Sequence, residues 1–191
     1  GRIGAVAFSS DGKVVLTGSS GVLVGSFDKT ARLWETATGK QLGPPLQHPA
    51  SVMAAAFSPD GKTVLIASGD KKARLWETAT GQQLGPPLQH QGSVVAVAFS
   101  PDGKMVVTAS FDKTARLWET ATGKPFGLPL RHQEKIWAVA FNHDGNMLVT
   151  ASHDKTARLW ETATGKQLGP SLQHQGAVGA VAFSPDGKMV V

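Results

Sequence analysis

Residues 94–123 read VVAVAFSPDGKMVVTASFDKTARLWETATG, and this stretch decides the fold. Val94–Ser100 is apolar on both faces, as a strand packed between neighbours must be. Pro101-Asp102-Gly103 then reverses the chain, because proline presets one turn dihedral and an Asp-Gly pair tolerates the other. Lys104–Ser110 is rich in β-branched residues and predicts a second strand. A short turn at Asp112 leads to a third, Thr114–Glu119. After Thr120–Gly123 a fourth segment, Lys124–Arg131, carries Pro125 and Pro129 and so belongs at a sheet edge, where no backbone donor is missed.

The same pattern returns along the chain. ARLWETATG, with its tryptophan at Trp34, Trp76, Trp118 and Trp160, recurs every 42 residues. AFSPDGK is centred on Phe57, Phe99 and Phe183, with variants at Phe8 and Phe141, and LQH or LRH closes each unit at His48, His90, His132 and His174. The units run approximately 1–49, 50–91, 92–133 and 134–175, with 176–191 an incomplete fifth. A four-stranded sheet of this size buries its two faces only by stacking on neighbours, and radial stacking is the propeller solution. The expected fold is all-β: four complete four-stranded blades plus part of a fifth, an incomplete ring.

Composition narrows the function classes. Apolar residues make up 41% and charged residues 17%, which suits a folded domain. No apolar run approaches the roughly 18–20 residues of a membrane span, and no signal pattern opens the chain. The absence of cysteine removes thiolate chemistry and fits a cytoplasmic protein. The formal charge is +5, divided as +2, +1, +2, 0 and 0 over the five units. So thin a spread along the chain argues against nucleic acid, which calls for a gathered basic patch. No GxGxxG, GxxxxGK[ST] or HExxH motif is present, so no cofactor is expected.

On its period and its repeated Trp-Glu and His signatures, the sequence resembles the WD40 repeat family, with Trp34-Glu35 standing where that family has Trp-Asp, and Gln-His or Arg-His where it has Gly-His. Its regularity is similar to bacterial WD40 arrays, which implies attachment to other domains. The resemblance implies a non-catalytic scaffold or sensor module that binds other proteins or domains of the same polypeptide.

Each full unit brings together His, Thr, Asp and Trp: His90, Thr108, Asp112 and Trp118, then His132, Thr150, Asp154 and Trp160. The set imitates a hydrolase triad, but catalytic groups occur once, whereas this set recurs beside a tryptophan whose N–H needs a partner. The resemblance implies a structural hydrogen-bond network. In the second unit Ile66 takes the threonine position, leaving His48, Asp70 and Trp76 without their middle partner. The first unit holds seven extra residues: Asp11 to Trp34 is 23 positions, against 16 from Asp60 to Trp76. Counted back from Trp34, Val24 stands at its threonine position, but Thr17-Gly18-Ser19 and Val24-Gly25-Ser26 echo each other, and which copy forms the strand is open. Histidines one blade apart do not form the local cluster that zinc requires, so no metal is expected.

Loops between propeller strands fall alternately on two faces. The turns of the PDG and TATG type share one face and barely vary, as pure turn chemistry should. The Asp112-type turns and His90-type loops share the other, and variation gathers there: Phe27, Gly69, Phe111 and His153 precede the aspartates, and Met53, Val95 and Trp137 stand near the first strand. Of these, Phe27, Phe111 and Trp137 are the natural anchors for a partner, or else pack between blades. The alternative function is an enzymatic propeller of hydrolase or lyase type, which would place unique carboxylates or histidines at the central channel; none is evident. A chain that starts without methionine and stops inside a strand is expected to be a fragment, its open blade edges inviting self-association.

Overall fold

The computed structural model describes residues 2–20 and 28–191. Blade 1 comprises β1 (Arg2–Phe8), β2 (Val14–Ser20), β3 (Thr30–Glu35) and β4 (Gln41–Gln47). Blade 2 comprises β5 (Val52–Phe57), β6 (Thr63–Ser68), β7 (Lys72–Glu77) and β8 (Gln83–Gln89). Blade 3 follows with β9 (Val94–Phe99), β10 (Met105–Ser110), β11 (Thr114–Glu119) and β12 (Pro125–Arg131), and blade 4 with β13 (Ile136–Phe141), β14 (Met147–Ser152), β15 (Thr156–Glu161) and β16 (Gln167–Gln173). Each blade is an antiparallel sheet in chain order, and no helix occurs among the described residues. Of the fifth unit, one bridge pairs Phe183 with Val190. The inner strands β1, β5, β9 and β13 lie side by side around an axis, which makes this an open β-propeller. The proline-bearing strands β4, β8, β12 and β16 are the outer edges, where a missing N–H costs no ladder bond.

Period-2 alternation in the second strands sorts side chains between neighbours. In β6, Val64 and Ile66 pack with Leu16, Leu33 and Leu46 of blade 1, whereas Leu65 and Ala67 pack with Val94, Val106 and Trp118 of blade 3. Val107, Ala109 and Leu117 repeat the pattern against Ile136, Leu148 and Trp160. The core is therefore a series of seams between blades. Ile66, Leu65, Leu16 and Leu148 have no exposed surface, so each seam gains on the order of 1.5–3 kcal/mol per large side chain it closes over.

Blade 1 settles the choice left open by its duplicated segment. The first copy, Thr17-Gly18-Ser19, lies in β2, with Thr17 opposite Arg32 as Thr108 is opposite Arg116. The threonine position is thus Thr17 and not Val24, because only an oxygen there can accept from the Trp34 indole. Val24 lies outside the described residues. Gly18 is needed in this copy: a Cβ there would stand 2.3 Å from Val52 Cγ1. On the side away from blade 2, Ile3, Val6 and Phe8 are exposed. With these apolar side chains exposed, blade 1 is expected to be the least protected unit. In hydrogen exchange, the amides of β1 and β2 should exchange faster than those of β9 and β10; equal protection would contradict this.

Candidate interaction face

Each inner strand runs from the face carrying the Asp turns to the face carrying the PDG turns, so strand direction alone divides the loops. At the first face the interblade seam is polar. The Asp112 carboxylate can only accept, so His90 Nδ1–H donates to Asp112 Oδ2 at 2.9 Å. His90 Nε2 then accepts from Thr108 Oγ1 at 2.7 Å, and Trp118 Nε1–H donates to the same hydroxyl at 2.9 Å. Gln91 N–H and Thr114 Oγ1 also donate to Asp112, at 2.9 and 2.6 Å. His90 directly follows β8, the outer strand of blade 2, so the chain of bonds ties that strand to blade 3. Blade 4 repeats it: His132 bonds to Asp154 at 2.8 Å and Thr150 at 2.7 Å, and Trp160 Nε1 donates to Thr150 at 2.8 Å. Thr108 and Thr150 have no exposed surface, so their hydroxyls meet no substrate.

Charge follows from these bonds. Burial pushes the Asp112 and Asp154 carboxyls up, but hydrogen bonds from His, Thr and backbone N–H outweigh it and hold both well below the usual range. Burial lowers His132, with Asp154 opposing. In blade 2, Ile66 offers no oxygen, and the network comes apart. Asp70 turns to Arg74, 2.6 Å away, and neither His48 nitrogen nor Trp76 Nε1 has a partner among the described residues. Burial first, then the Arg74 charge, lowers the His48 pKa to about 4.

Ile66→Thr should repair this seam. It restores an acceptor for Trp76 and a donor for His48, a gain of about 1–3 kcal/mol, against about 1 kcal/mol for the apolar volume removed. We expect a modest rise in melting temperature; a fall would show that the blade 2 backbone cannot bring the new hydroxyl into bonding register.

Above the seams lie the variable residues. Trp137, half-buried, meets Phe111 of blade 3 at 4.7 Å between ring centroids and stacks on His153 of its own blade at 5.0 Å and 29°. Lys135 Nζ sits 5.0 Å over the Phe111 ring, within cation–π reach. His153 is exposed. Phe111, Trp137 and His153 are thus brought together, each both packed and accessible at its rim. Met53, Gly69 and Val95 are half-buried on the same face at other blades and do not join this cluster. Phe27 lies outside the described residues. Gly4, at the position of Trp137 in blade 1, has no space for a side chain: a Cβ would meet Ser20 Cβ at 2.3 Å and the Val52 carbonyl at 2.9 Å.

A family model for the WD domain, G-beta repeat, matches residues 1–35, 39–77, 82–119, 126–161 and 166–191. The chain belongs to the WD40 repeat family. It is also 34% identical over 64 residues to the Periodic tryptophan protein 2 homolog of Schizosaccharomyces pombe, a match covering 34% of this chain and 7% of that protein. The likeness is therefore local, one and a half WD40 units long.

Two features of these WD40 blades escaped sequence reasoning. His153 reads as one of the variable residues of this face, but its stacking on Trp137 is hidden, because no spacing signal announces a partner 16 residues away across the sheet. The charge, thin along the chain, is uneven in space: the PDG and TATG face carries seven lysines and nine carboxylates, the Asp-turn loops five lysines and five carboxylates, and the other seven cations, six arginines and Lys72, lie in strands. A sum over each repeat mixes both faces and hides the difference.

Proposed function

We propose that this WD40 array is a non-catalytic scaffold that holds other proteins, or other domains of its own polypeptide, on the face bearing Phe111, Trp137 and His153. The observation that carries the reading is that aromatic cluster: three rings from two blades, found at one seam among the described residues, on a surface otherwise built of repeats. Aromatic groups at a packed centre dominate interface energetics. A catalytic reading finds less support. The channel-side cavity, about 460 Å³ between Phe8, Phe57, Phe99 and Phe141, has no carboxylate in its lining and His143 as the titratable group there.

The test is selection of short displayed peptides on the folded chain, followed by His153→Ala and Phe111→Ala. His153 is exposed, so its truncation should leave the melt unchanged. Selected peptides should bind either variant roughly tenfold or more weakly, as expected for an anchor residue. Peptides that instead map to the PDG face or to the open side of blade 1 would overturn the proposal.

A further inference from the structure

We infer that the partner segment is acidic, and that the lysines around the aromatic cluster select it. This deepens the interaction-face reading above and rests on it. On that face the aspartates are already engaged: Asp112 and Asp154 by His90 and His132, Asp70 by Arg74 and Asp28 by Arg32. Their charge is turned inward, toward the seams. Of the carboxylates at this face, Glu134 and Asp28 keep substantial exposure, and Glu134 pairs with Lys113 at 3.1 Å.

The cations stand at the rim, where Lys113 Nζ also donates to Gln133 O at 2.8 Å. Lys71, Lys113 and Lys155 follow the aspartates at the tips of the turns, all exposed. Each has a left-handed backbone, with φ of 68°, 68° and 67°, where glycine or asparagine would sit with less strain. The turn therefore presents an ammonium group where its own geometry favours a smaller residue, and strain of this kind is compatible with a binding role. Lys135, also exposed, adds a fourth beside Phe111 and Trp137. An apolar centre with a cationic rim complements a peptide in which carboxylates flank an aromatic or aliphatic side chain. Nucleic acid fits less well. The turn lysines come one to a blade and not in a continuous stripe, and Trp137 already uses its ring against Phe111 and His153.

The experiment measures binding of a labelled peptide alternating Glu and Phe, its Lys-for-Glu counterpart and a single-stranded DNA oligonucleotide, each at low and physiological salt. The acidic peptide should bind best and weaken as salt rises. The pair Lys135→Glu and Lys155→Glu should lower its affinity roughly tenfold or more, whereas Lys62→Glu with Lys104→Glu, an equal charge change on the opposite face, should not. Thermal melts confirm that both variants fold. Equal binding of the acidic and basic peptides, or equal loss in both variants, overturns the inference. Tighter binding of the oligonucleotide assigns the lysines to nucleic acid and also overturns it. If peptides without acidic character bind and His153→Ala weakens them, the acidic preference fails while the interaction face stands; if His153→Ala weakens no peptide, the face itself is wrong.

Discussion

Thr108→Val is expected to destabilise the protein by about 2–4 kcal/mol, because it keeps the shape of the side chain and removes the one oxygen that two buried groups share. His90 Nε2 and Trp118 Nε1 both meet Thr108 Oγ1, in a seam where His90 and Thr108 have no exposed surface and Trp118 little. Valine leaves both without a partner, and each buried orphan costs about 1–3 kcal/mol. Urea denaturation should show a lower midpoint. Thr17→Val is the internal comparison. Among the described residues Trp34 Nε1 is the group that Thr17 Oγ1 serves in blade 1, and it lies on a half-buried side. Its effect should be about 1 kcal/mol or less. Equal losses at the two sites would mean that the hydroxyls matter for something other than the pairs they bridge.

The second large effect is in acid. His48 is 5% exposed, and its folded pKa, about 4, lies below the ordinary imidazole value of 6.5. The folded state therefore resists a proton that the unfolded chain accepts. This contribution is fully present above pH 6.5, falls as pH drops from there, and is spent by about pH 4. The loss amounts to about 3 kcal/mol at most, at 1.36 kcal/mol for each unit of separation. His132 is lowered as well and adds to the slope in the same direction. His48→Phe should remove most of the pH dependence between pH 7 and 4.5 while keeping the ring contact with Trp76, now 5.5 Å between centroids. At neutral pH it should be no less stable, since it replaces two unpartnered nitrogens with carbon. An unchanged acid slope in His48→Phe would remove His48 as its source.

The blades were legible in the sequence because each level agreed: β-branched second strands, glycine turns, prolines at the edge and a fixed period. The third strand, Thr114–Glu119, has the same limits in structure and sequence. The broken network of blade 2 was legible too, since Ile66 cannot supply an oxygen. What was hidden depends on space. A seven-residue insertion shifts the count on either side of itself, so counting back from Trp34 reached Val24, while the indole bonds to Thr17. The Asp–Arg pair four residues apart recurs in blade 4, where Arg158 stands 3.3 Å from an Asp154 that keeps its histidine, but only the structure shows that Asp70 closes on Arg74 to 2.6 Å and leaves His48 aside. The Phe111–Trp137–His153 contact joins two blades at one rim, and the uneven charge depends on where loops and strands lie in space, which a running sum along the chain averages away.

Because alternate side chains of a second strand serve different neighbours, the molecule behaves as a line of hinged panels whose joints open one at a time. The joint between blades 1 and 2 combines a panel whose Ile3, Val6 and Phe8 are exposed with a pin, His48, whose two ring nitrogens have no partner among the described residues. Acidification should therefore open the joint between blades 1 and 2 first, ahead of the joint between blades 3 and 4, whose His132 keeps its partners. Loss of one panel need not take the rest with it.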